Sequence, residues 1–182
     1  MKKYNINTCA FLFKVKGHKD FKKYMLNYIN SQSINRLVER NDDISNTDWH
    51  LNSETNREYI NKFSKLIEPY LKEMCVSLKA SKFVIKNMWY QQYGKNSKHQ
   101  WHYHCGSDWS AVYYIDLPKD TGTQLYDIPK QKILDNFNLK EGDLFIFPAN
   151  ILHRSPPNKS DKIKTIISFN IILKQVTSIL AK

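Results

Sequence analysis

After Lys79 the chain changes rhythm, and this change constrains its fold more than any other feature. Residues 83–93, 100–104, 109–116, 122–126, 143–147 and 165–173 read as short apolar β-segments rich in β-branched and aromatic residues. Turn-forming runs separate them, among them Gly94-Lys95-Asn96-Ser97, Leu117-Pro118-Lys119-Asp120, Glu141-Gly142-Asp143 and Ser155-Pro156-Pro157-Asn158. Upstream the spacing is different. Phe11, Phe13 and Val15 alternate within residues 4–15 and predict an opening strand. Phe21, Tyr24, Met25 and Tyr28 recur at helical spacing over residues 20–30. Residues 31–52 are polar turn material, and Ser53 or Thr55 is expected to start a longer helix. In that helix Tyr59, Phe63, Ile67, Tyr70, Leu71, Met74 and Leu78 share one stripe suited to lying on a sheet. Helices first and many short strands later predict a mainly β (α+β) fold, a β-sandwich or jelly roll buttressed by N-terminal helices. The 182 residues are expected to form one domain, with 1–80 as support, 83–173 as core, and a change of layer near residue 80.

Composition narrows the class of protein. Five glycines and six prolines leave no room for low-complexity tracts, and no internal repeat is visible. No segment approaches the roughly 20 apolar residues that cross a bilayer. The apolar run 9–13 is too short for the core of a signal peptide, so a cytoplasmic protein without membrane contact is expected. Cys9, Cys75 and Cys105 are widely spaced and form no CxxC pair, which fits reduced thiols. The net charge of +11 comes from scattered lysines, with no arginine-rich tract. Such a surface favours acidic partners and permits nonspecific nucleic-acid contact; it serves equally as a solubility device.

The chemistry points to histidine. Trp101-His102-Tyr103-His104 places two imidazoles at i and i+2, on one side of an extended strand. His153 follows the apolar run Phe147-Pro148-Ala149-Asn150-Ile151-Leu152 and can close a three-ligand face around a metal. Neutral imidazole suits iron, zinc, copper and nickel, and three ligands leave positions open for substrate or oxygen. His18, His50 and His99 lack that context and read as surface or packing residues. Cys105 follows His104 directly and could serve as a soft metal ligand, but reads first as a strand neighbour pointing the other way, and Trp89, Trp101 and Trp109 read as core or rim aromatics. Trp101 and Trp109 are the two that could line a cleft. No Walker loop, GxGxxG, HExxH or GxSxG is present, so those nucleotide-binding and hydrolase classes lack support.

Several motifs in order resemble the core of iron(II)/2-oxoglutarate-dependent oxygenases. They are Trp89-Tyr90-Gln91-Gln92-Tyr93-Gly94, His102-Tyr103-His104, Ser110-Ala111-Val112-Tyr113-Tyr114-Ile115, Glu141-Gly142-Asp143-Leu144-Phe145-Ile146-Phe147-Pro148, His153-Arg154-Ser155-Pro156-Pro157-Asn158 and Ile167-Ser168-Phe169-Asn170. The resemblance covers residues 83–173 and is nearest to the small HxH oxygenase-like proteins, more distantly to prolyl hydroxylases. It implies a double-stranded β-helix, cofactors iron(II) and 2-oxoglutarate, and molecular oxygen as co-substrate. By position, His102 and His153 match the family's metal histidines, and His104 stands where HxD would place a carboxylate. Asp108 could supply that carboxylate if its loop folded back. The resemblance places Lys164 opposite the distal carboxylate of 2-oxoglutarate, with Lys162 as the alternative after a slip of two residues. It also implies cosubstrate roles for Tyr93 and Tyr114. Strand alternation puts Lys164, Ile166, Ser168 and Asn170 on one face, so Ser168 joins that pocket. Ile166 departs from the Ser or Thr that relatives often carry there. Arg154 is a candidate for substrate or cosubstrate contact, or a solvated loop residue. The expected function is hydroxylation of an unidentified substrate with release of succinate and CO2. Two alternatives stay open: a three-histidine cupin-type dioxygenase independent of 2-oxoglutarate, and a non-catalytic jelly-roll module with a basic surface. The substrate pocket is expected from residues 31–52 and the loops around Asp120 and Lys130.

Overall fold

A computed structural model describes residues 9–32, 44–51 and 55–175. The opening strand β1 is Phe11–Lys14, followed by helix α1, His18–Ser31. The short β2 (Asn46–Thr47) and the long α2 (Glu58–Leu78) come next. The remaining strands are β3 (Ala80–Tyr93), β4 (His99–His102), β5 (Trp109–Asp116), β6 (Gln124–Asp127), β7 (Lys132–Leu134), β8 (Asp143–Pro148), β9 (His153–Ser155) and β10 (Lys164–Gln175). Six strands make the major sheet in the order β1-β8-β5-β10-β3-β2, and four make the minor sheet, β4-β9-β6-β7. Every pairing is antiparallel. This is the expected jelly roll, with the change of layer near residue 80 reduced to Lys79, which takes a left-handed conformation between α2 and β3.

Strand alternation sorts the major sheet into two cores. Ala111, Tyr113 and Ile115 of β5, Leu144 and Ile146 of β8, and Ile167, Phe169 and Ile171 of β10 face the helices. They meet Phe21, Met25 and Ile29 of α1 and Tyr59, Phe63, Ile67, Leu71 and Met74 of α2. The intervening residues Val112, Tyr114, Phe145, Phe147 and Ile166 face the minor sheet, with Tyr93 and Leu125. Each large apolar side chain buried this way contributes roughly 1.5–3 kcal/mol, so the helix-side core is what holds the major sheet flat against α2. Gly142 illustrates the tightness of that layer. Its φ of 80° makes the turn into β8, and a Cβ there would lie 2.9 Å from the His18 ring.

Some boundaries differ from those expected. Thr55 lies ahead of α2, which begins at Glu58, and Ser53 lies outside the described residues. The strand expected over 100–104 starts at His99 and stops at His102, leaving His104 in the turn beyond. β7 and β9 have three residues each, too few to show a period in sequence, and they appear because β6 supplies hydrogen-bonding partners to both. No described helix is long and apolar enough to cross a membrane. The three cysteines are free, Cys75 being buried and the others exposed.

Candidate metal centre and cosubstrate pocket

The pairing of β4 with β9 sets the site. His102 stands directly opposite His153 in register, so two imidazoles from distant parts of the chain face one another across the minor sheet. His104 joins them from the turn, which is held by its own backbone N–H donating to the Ala149 carbonyl at 2.8 Å. One ligand atom from each of His102, His104 and His153 lies within 4.8 Å of the others. The i, i+2 argument thus brings the two histidines together although the strand ends between them.

The ring nitrogens are already assigned by their partners. His102 Nδ1 donates to the Gln100 carbonyl at 2.7 Å, and His153 Nδ1 donates to the Ile151 carbonyl at 2.8 Å. A carbonyl can only accept, so both rings carry the proton on Nδ1 and leave Nε2 as the electron-pair donor. His104 is hydrogen-bonded to the Asn170 side chain. Burial pushes His104 down to about 4, with the neighbouring His102 adding to the effect. His153 falls to about 2, again through burial first and His102 second. At neutral pH both are neutral imidazoles, the form that ligates. Three preoriented nitrogen donors, His104 and His153 neutral at this pH, fit a divalent first-row metal such as iron(II).

Asp108 does not complete the set with a carboxylate. Its Oδ2 accepts the Leu173 N–H at 2.7 Å, and its carbonyl accepts the Ala149 N–H. The departure from HxD therefore stands: among the described residues the metal-capable group is three histidines. Cys105 is exposed and outside that group.

Lys164 is fully buried at the start of β10. Its ammonium donates to the Thr121 carbonyl at 2.6 Å and to Ser155 Oγ at 2.7 Å, and lies 5.1 Å from the centre of the Tyr93 ring. Among the described residues no carboxylate pairs with it, and burial alone lowers its pKa from 10.5 to about 7. A buried amine without an anion is a poor structural element and a good receptor for one. Lys162, by contrast, is exposed. A small inner cavity is lined by the three imidazoles and by Tyr93, Thr123, Ser155, Ile166 and Ser168. Ser168 donates to Gln91 Oε1 at 3.2 Å. Tyr114 is fully buried, and its hydroxyl donates to Thr123 Oγ1 at 2.8 Å, so it reaches the cavity through Thr123.

The sequence reading missed two residues, and of its two readings of Trp101 and Trp109 the core or rim one holds. His99 lies on His102, ring centroids 3.9 Å apart, and lines both this cavity and the larger one outside it. Its spacing of three from His102 would place it on the opposite face of a regular strand, and the irregularity in the β4–β9 register brings it back. Trp49 lines the outer cavity against Trp89, which in turn stacks on His104 with 6.1 Å between centroids. Trp101 instead packs against Tyr126 and beneath the Arg154 guanidinium, and Trp109 against Phe11. Arg154 Nε donates to Gln124. Of the loops expected to shape the pocket, Ile44, Thr47 and Trp49 do so, residues 33–43 lie outside the described residues, and the turn at Lys130 contributes no lining residue.

Residues 87–170 match the protein family described as "Putative 2OG-Fe(II) oxygenase". Among curated proteins none matches the chain in sequence. Solved structures match it in fold. The viral collagen prolyl hydroxylase of Paramecium bursaria Chlorella virus-1, in complex with 2-oxoglutarate, is 14% identical with a TM-score of 0.60, covering 89% of this chain and 94% of its own. A Pseudomonas putida prolyl-4-hydroxylase is 11% identical with a TM-score of 0.61, over 93% and 94% of the two chains. HygX of Streptomyces hygroscopicus, with nickel and 2-oxoglutarate bound, is 9% identical with a TM-score of 0.63, over 90% and 82%. At these identities the likeness establishes the fold, the double-stranded β-helix expected from the motifs. The family match and the imidazole triad accord with the expected cofactors, iron(II) and 2-oxoglutarate.

Proposed function

We propose that this chain, whose matched core is that of the iron(II)/2-oxoglutarate-dependent oxygenases, hydroxylates a carbon–hydrogen bond of its substrate. The single observation that carries the reading is Lys164: a fully buried ammonium that no carboxylate among the described residues pairs, hydrogen-bonded to Ser155, which lines the same cavity as the imidazole triad. His102, His104 and His153 would hold the metal, and Lys164 with Ser155 would hold the distal carboxylate of the cosubstrate. When bound, iron(II) and 2-oxoglutarate supply the oxidising power: one atom of oxygen enters the substrate as hydroxyl, the other enters succinate, and CO2 is released.

The chain's own residues do the positioning. The Gln100 and Ile151 carbonyls fix the tautomers and ring planes of His102 and His153, and Asn170 does so for His104. Phe147 lies edge-on to His153, and Val112 and Ile166 wall the inner cavity with carbon, which keeps water from the reacting centre. Lys164 gives a point charge where an arginine would give a bidentate fork, so it sets position less rigidly than arginine would.

An anaerobic iron(II) titration with and without 2-oxoglutarate tests the reading. A metal-to-cosubstrate charge-transfer band that needs both components, and that is lost in Lys164→Ala, is the expected result. Iron binding without a band would favour the three-histidine enzyme independent of 2-oxoglutarate; no iron binding would leave a non-catalytic barrel.

A further inference from the structure

Outside the triad lies a larger cleft of about 370 Å3, bordered by β2, β3 and the turn after β4. Its wall carries three kinds of group. Trp49 and Tyr103 present flat apolar surface, 51% and 59% exposed, and Trp89 supports Trp49 edge-on at 4.5 Å between centroids. Asn87 and Gln91 present amides with their carbonyl oxygens already engaged. Asn87 Oδ1 accepts from Asn170, and Gln91 Oε1 from Ser168, leaving N–H groups as the donors offered to a ligand. The third element is a cation: Lys86, whose ammonium donates to the Gly106 carbonyl at 2.9 Å and is thereby held at the rim.

Among the described residues no acid balances these donors. Among the described residues lining either cavity there is no aspartate or glutamate. Asp48, between two residues of the cleft wall, turns its carboxylate into the helix-side core, accepting from Tyr59 Oη at 2.7 Å and the Tyr90 N–H at 2.8 Å. The third imidazole, where a carboxylate would stand, leaves a bound metal's charge uncompensated by the chain. A cationic ligand entering this cleft meets no carboxylate among the described residues, whereas an anion meets the Lys86 ammonium and amide N–H donors.

Resting on the oxygenase reading above, we propose that the cleft takes a small anion built on a flat ring. The ring lies against Trp49 and Tyr103, and its carboxylate or phosphate is received by Lys86 and the Asn87 amide. Trp49 and Lys86 are then the specificity-determining residues of the site.

Calorimetric titration of the protein loaded with manganese(II) and saturating 2-oxoglutarate tests this, using four probes with one ring: benzoate, phenyl phosphate, benzamide and benzylamine. Both anions are expected to bind at least about tenfold more tightly than benzamide, with benzylamine weakest. Their order assigns the anion as carboxylate or phosphate. Lys86→Gln keeps a donor for the Gly106 carbonyl while removing the charge, and is expected to abolish the anion advantage. Trp49→Ala is expected to weaken every ring probe alike. Benzamide or benzylamine binding as tightly as the anions overturns the proposal. So does an anion advantage that survives Lys86→Gln, binding of an uncharged prolyl peptide but of no ring probe, or no probe binding at all. Binding of 2-oxoglutarate is recorded first in the same cell. Its failure would count against the oxygenase reading, and the probes would then be titrated without it.

Discussion

Lys164 carries a marked electrostatic tension at the scale of single residues. Its folded pKa, about 7, lies below the ordinary 10.5 because burial disfavours the ammonium. Between those two values the unfolded chain binds more protons than the folded one, so this residue makes stability rise with pH across that window. Below pH 7 the cost of burying the charge is felt in full. Lys164→Met is therefore expected to stabilise the ligand-free protein by roughly 1–4 kcal/mol below pH 7, with the gain shrinking as pH rises toward 10. Urea denaturation of both proteins at pH 6 and pH 9 measures it, and an equal gain at both would refute the account. The same variant is expected to lose 2-oxoglutarate binding, which is how a functional site retains an unfavourable residue. His102, His104 and His153 were recognisable in the sequence because spacing and context marked them. His99 was not, since only the irregular β4–β9 register sets it against His102.

At the scale of elements, α2 is the main buttress, and it contains a flaw. Pro69 sits inside the helix on an exposed position, where it removes one backbone donor. Pro69→Ala is expected to stabilise the protein by about 1–3 kcal/mol without altering iron binding, read as a raised midpoint in denaturant at unchanged slope. The stripe of Tyr59, Phe63, Ile67, Leu71 and Met74 was readable from its 3.6-residue period, and all five are buried as expected. Long strands were similarly readable: β5 runs over the expected residues 109–116. β2, β7 and β9 were not, because two or three residues carry no period and such strands exist only through their neighbours. The turn bearing Trp49 belongs to this class. It is anchored by Asp48 to Tyr59 and Tyr90, a contact between segments far apart in sequence.

Across the whole molecule, the +11 charge is spread as single lysines and pairs, so any attraction to polyanions is a property of the surface and not of the site. Binding to duplex DNA is expected to be weak, to fall steeply between 50 and 200 mM salt, and to be unchanged by His153→Ala; fluorescence anisotropy at several salt concentrations checks all three. Salt-resistant binding that depended on His153 would instead place nucleic acid in the cleft. What the sequence by itself determined was the class of fold and the three imidazoles, since periodicity and local motifs are short-range properties of the chain. What only the tertiary structure decided was which groups meet: Lys164 with Ser155 and Thr121, Trp49 with Trp89, His99 with His102. Lys164 and Ser155 come from different sheets, Trp49 and Trp89 from a turn and a strand, and His99 meets His102 through the irregular β4–β9 register. Their meeting depends on strand register and on the closure of the barrel, which are set by pairing across the whole chain and leave no local trace in it.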